Sequence, residues 1–108
     1  MKKLQLLMAI LASIFALQTT WAQPGIYEVD AGAFYYAPSN LEIEVGSTVK
    51  WINVGGLHDV NGVTNSITDS SFDNPESFSF PAVYSPGPEN PVEIGSYQFN
   101  VPGTYTYD

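Results

Sequence analysis

After residue 25 the chain alternates apolar and polar positions with a period of two rather than 3.6. In "LEIEV", Leu41, Ile43 and Val45 face one way and Glu42 and Glu44 the other, so a strand with one buried face is expected there. "GS" at Gly46 and Ser47 turns the chain. "TVKWINV" then resumes the alternation, with Val49 and Trp51 inward and Thr48 and Lys50 outward, which predicts a hairpin. Asn61 and Gly62, flanked by Val60 and Val63, form the pair favoured in two-residue hairpin turns. From Thr64 to Pro91 the sequence is rich in Ser, Asn and Pro and reads as loop, with one short strand at "SFSF", Ser77 to Phe80. Alternation returns near the end, placing Tyr97, Phe99 and Val101 on one face. Pro102 and Gly103 then turn the chain, so that Tyr105 and Tyr107 lie on the face of the next strand. No helical period of useful length follows residue 22. The expected fold is all-β, an antiparallel Greek-key sandwich or barrel.

Length and charge narrow the class. The 108 residues leave room for one domain. "MKK", the apolar run "LQLLMAILASIFALQ" and the small residues Thr20 and Ala22 form a secretory signal pattern over residues 1–22, with the cut expected between Ala22 and Gln23. The run is too short to span a bilayer, so no membrane span is expected after signal removal. The domain is then residues 23–108, with Lys50 as its sole base against 11 acidic residues. Such a surface repels phosphate backbones, which excludes nucleic acid as an expected partner. An exported domain this small would ordinarily carry disulfides, yet there is no cysteine.

His58, in "VGGLHDVNG", is the only histidine. The two glycines before it allow close backbone approach, it lies near the loops at one end of the predicted sheets, and Trp51 is expected to wall it. A neutral imidazole in an apolar, glycine-lined pocket suits copper or zinc. One ligand is not a site, and Met1 and Met8 leave with the signal. Other constellations are weaker. Asp69, Asp73 and Glu76 lack the ligand spacing and central glycine of a calcium loop. No serine is marked as a nucleophile for His58. Glu42 and Glu44 sit on a wet strand face, where they act as solubilising charges, and the tyrosines at 97, 105 and 107 fit sheet positions without a redox role.

Taken in order, "FYYAPSNLEIEVGSTVKWIN", "LHDV", "NPESF" and "FNVPGTYTYD" resemble a blue copper protein of the plastocyanin or azurin type, a cupredoxin, from about Phe34 to Asp108. "VGSTVKWIN", the following "HDV" and "PGTYTY" are the most specific parts. The resemblance implies that His58 is the first copper ligand. It also implies that the backbone carbonyl of Leu57 or Gly56 faces the axial side, as in azurin. The strand "PGTYTY" leads, in that family, into a loop bearing a cysteine, a second histidine and a methionine. Those ligands are therefore expected beyond Asp108, and residues 23–108 form a C-terminally incomplete domain lacking its last strand. Asp59 stands where many relatives carry asparagine.

The function implied is copper binding and one-electron transfer between redox partner proteins, in a secreted or periplasmic location. The completed protein is expected to be a monomer and not an enzyme. The reading that competes with it is a metal-free β-sandwich used for binding or adhesion, in which His58 is a loop residue.

Overall fold

A computed structural model describes the backbone of residues 2–9, 14–21 and 23–108, and side chains from residue 23 onward. Strands β1 (Lys2–Ala9) and β2 (Ile14–Trp21) pair antiparallel as a two-stranded sheet of their own, Lys2 opposite Trp21 and Ala9 opposite Ile14. Both fall within the stretch read as a signal. The expected cut after Ala22 lies outside the described residues.

Six strands follow: β3 (Ile26–Gly32), β4 (Tyr35–Ala37), β5 (Thr48–Asn53), β6 (Gly56–Asn61), β7 (Ser79–Ser85) and β8 (Val92–Gln98). Among the described residues there is no helix, so the protein is all-β, and none is present that could cross a membrane. One sheet has the order β4-β3-β5-β8; its β3–β5 pair is parallel, with Val29 opposite Trp51, and its other pairs are antiparallel. The second sheet is the antiparallel pair β6–β7.

Period-two patterning positions the core. In β5, Val49, Trp51 and Asn53 are buried while Thr48, Lys50 and Ile52 are half-buried on the opposite face. Val29, Ala31, Val49 and Trp51 from the larger sheet meet Val60 of β6 and Phe78, the residue before β7, together with Ile94 and Phe99. Trp51, 1% exposed, stacks on Phe78 at 5.5 Å between ring centroids and meets Tyr107 edge-on at 5.3 Å. Pairs of this geometry add stabilisation beyond the area they bury. Side chains from both sheets thus share one core, an arrangement compatible with a β-sandwich.

Several expectations are corrected. Leu41–Val45 joins no ladder: Leu41 and Val45 are exposed, and only Ile43 packs on the core. The predicted hairpin is absent because β5 has two edges and both are taken, one by β3 and the other by β8. A recess of about 620 Å³ remains between residues 38–45 and 101–105, floored by Val49 and Trp51. Asn61 and Gly62 do turn the chain, but not into a hairpin. Asn61 Oδ1 accepts from the N–H of Val63 and of Thr64, an Asx turn that opens a long loop. Gly62 is required there, since an added Cβ would lie 2.6 Å from the Phe78 ring.

The strand seen in "SFSF" continues to Ser85 through Pro81. Pro81 and Ala82 together oppose Asp59, a bulge that accommodates the missing proline N–H. Phe99 is buried, and Tyr97, Tyr105 and Tyr107 pack against the core, but Val101 is exposed. The Tyr105 hydroxyl donates to Val101 O at 2.6 Å, closing the corner around Pro102 and Gly103.

Candidate functional site

His58 sits in β6 rather than in a loop, half-buried, with Val83 of β7 opposite it. Its Nε2 lies 2.7 Å from Gly55 O. A carbonyl oxygen can only accept, so Nε2 carries the proton, and in the neutral ring Nδ1 keeps its lone pair. No other group among the described residues hydrogen-bonds the ring. Metal-ligating histidines characteristically bind through one nitrogen while the other donates to a carbonyl or carboxylate. On this test the imidazole fits a metal ligand.

The segment before it is built by Asn53. This residue ends β5 on the inward face, is 0% exposed, and donates through Nδ2 to Gly56 O at 2.7 Å and to Val83 O at 2.8 Å. Its Oδ1 accepts from Gly55 N at 2.8 Å. Gly56 has φ +92°, a left-handed conformation in which a side chain would be strained. Of the two candidate axial carbonyls, that of Gly56 already accepts from Asn53, whereas Leu57 stands opposite Tyr84 in the β6–β7 ladder.

A recess of about 770 Å³ opens beside His58, lined by Phe34, Tyr35, Tyr36 and the run Gly55–Leu57. Trp51 is not part of it. The aromatic rings beside it are instead Tyr35 and Tyr36 of β4, because the inward face of β5 points Trp51 into the core. Phe34 takes φ +63° at the turn from β3 to β4 and projects fully into solvent. Leu57 and Tyr84, a cross-strand pair, are also largely exposed. Tyr36 donates its hydroxyl to Asp59 O at 2.9 Å and meets Tyr107 edge-on at 4.9 Å. Burial first, then the carboxylate of Asp59, pushes its phenol up to about 12.

The remaining candidates are not brought together. Asp73 accepts from the Ser71 hydroxyl, and Asp69 lies in the exposed loop. Glu76 is committed elsewhere: it accepts from the Tyr97 hydroxyl and from the N–H groups of Asn100 and Val101, and the Tyr97 bond above all holds its carboxyl below the usual range. No group of three metal-ligating side chains occurs among the described residues. Sequence reasoning missed Asn53 and Tyr36. Asn53 carried a signal, since the parity that sends Trp51 inward places a polar residue on the buried face two positions later. Tyr36 carried none, standing among adjacent aromatics in "FYY". Against known proteins, no family model matches this sequence, no curated protein is similar to it, and no solved structure matches it.

Proposed function

We propose that residues 23–108 are the greater part of a blue copper domain of the cupredoxin type, a Greek-key sandwich whose function is one-electron transfer and not catalysis. The observation that carries this reading is the ring of His58, with its Nε2 proton committed to Gly55 O and its Nδ1 left as a lone-pair donor. His58 would then hold the metal through Nδ1, with the backbone carbonyl of Leu57 or Gly56 as the further candidate donor. One imidazole does not make a site. The reading requires a thiolate and a second imidazole from outside these 108 residues.

One backbone pairing supports this reading. Asn61 and Asp108 exchange both of their hydrogen bonds, N–H to O at 2.7 and 3.0 Å, the signature of an antiparallel pair. In this reading, a residue continuing that register beyond Asp108 would stand opposite Val60, and the chain beyond would run towards His58. Copper held by two imidazoles and a thiolate would supply one-electron chemistry with little rearrangement. Phe34, Leu57 and Tyr84 form an exposed apolar rim beside the site, suited to brief contact with a redox partner protein, and the acidic balance steers basic partners. The protein acts as a secreted or periplasmic monomer in this reading.

The same rim supports a second reading, a metal-free sandwich that binds a partner through Phe34, Leu57 and Tyr84. The coding sequence after Asp108 separates the two. A cysteine close behind Asp108, followed within about ten residues by histidine and then methionine, supports copper. A stop codon, or an extension with no sulfur donor, overturns it and leaves the binding domain.

A further inference from the structure

The imidazole of His58 depends on a carbonyl that its own strand does not hold. Gly55 O, its acceptor, belongs to the short connection between β5 and β6. Both sides of that carbonyl are pinned by one buried amide: Asn53 Oδ1 takes the Gly55 N–H, and Asn53 Nδ2 reaches Gly56 O. The same Nδ2 group reaches Val83 O, on the residue that faces His58 across the β6–β7 ladder. An asparagine amide has two donor hydrogens, and both are used here on carbonyls that frame the histidine.

We propose that Asn53 is the positioning residue of His58. It aims the Gly55 carbonyl at the ring, fixes the Nε2–H tautomer, and so leaves Nδ1 as the nitrogen that presents a lone pair. The purpose of this arrangement rests on the reading of His58 as a metal ligand, but the arrangement itself does not. Aspartate at position 53 keeps the acceptor for Gly55 N and loses both donors, setting a buried carboxylate against two carbonyl oxygens. Alanine removes all three bonds.

The test uses 15N-labelled, metal-free protein in alkaline buffer and reads long-range proton–nitrogen correlations of the only imidazole in the chain. In the parent protein the ring shows a protonated Nε2 and an unprotonated Nδ1, with the Nε2 proton protected from exchange with water. In Asn53→Ala and Asn53→Asp that proton exchanges about tenfold faster, the loss of roughly one ordinary hydrogen bond. A core variant, Phe99→Leu, serves as the control for lowered stability and retains the protected proton. Equal protection in the Asn53 variants, or equal loss in Phe99→Leu, overturns the proposal. A parent ring protonated at Nδ1 overturns it without any variant, so failure of an Asn53 variant to fold leaves the claim decidable. If the proton is protected as expected yet the completed protein binds no copper, the copper reading fails while the role of Asn53 stands.

Discussion

The core around Trp51 and the connection before His58 meet at the end of β5, and they are held by opposite means. Trp51 touches Phe78, Phe80, Phe99 and Tyr107, rings contributed by three segments, so any one contact is backed by others. Two positions on, Asn53 reaches Gly55, Gly56 and Val83 through a single amide. Redundant, non-directional packing makes a fold tolerant, because many small contacts share the load. Directional hydrogen bonds make one geometry and fail together. The fold is thus secured by rings and the histidine by one polar side chain.

That contrast can be broken at graded strengths. Trp51→Ala removes the largest buried ring and leaves a void; urea unfolding is expected to show a loss of about 3–5 kcal/mol, a large part of the stability of a small domain. Asn53→Ala leaves one donor and two acceptors without their side-chain partner in a part-buried setting, and the same measurement is expected to show about 1–3 kcal/mol. The two variants differ in kind as well as size: Trp51→Ala loosens near-UV dichroism throughout, whereas Asn53→Ala leaves the aromatic signals in place. If Asn53→Ala abolishes them too, the separation of core from site is wrong. Gly56→Ala forces a side chain into the φ +92° backbone beside the histidine and is expected to cost about 1–2 kcal/mol.

The smallest effect depends on pH. The Glu76 carboxylate is favoured in the fold by the Tyr97 hydroxyl and two backbone N–H groups, which lowers its pKa from an ordinary value of 4.5. A group lowered in this way stabilises the fold above its unfolded value and loses that contribution as pH falls through the folded one. The thermal midpoint should therefore drop on acidification below that range. Glu76→Gln should flatten this dependence; an unchanged slope in the variant assigns it to other carboxylates.

What the sequence disclosed follows the same division. The period-two pattern showed Val49 and Trp51 inward and the chain all-β, because burial on a sheet imposes parity directly on composition. It failed at Leu41–Val45, whose alternation is as regular as that of β5, because parity says nothing about which strands win the edges of a neighbour. It stopped short in β7, where Pro81 reads as a breaker and the bulge opposite Asp59 that accommodates it leaves no mark in the sequence. His58 stood out as the lone imidazole beside two glycines, and its placement in β6 gives that signal a geometry. The bonds that aim it come from Asn53 and Gly55, and they depend on a loop path that residue types alone do not specify.

His58 is proposed as one corner of a copper site. Its most direct test is the visible spectrum of the protein carrying the residues that follow Asp108, titrated with Cu(II). The expected result is an intense thiolate-to-copper absorption at one equivalent that disappears in His58→Ala. No such band in the parent protein, or an identical band in the variant, contradicts it.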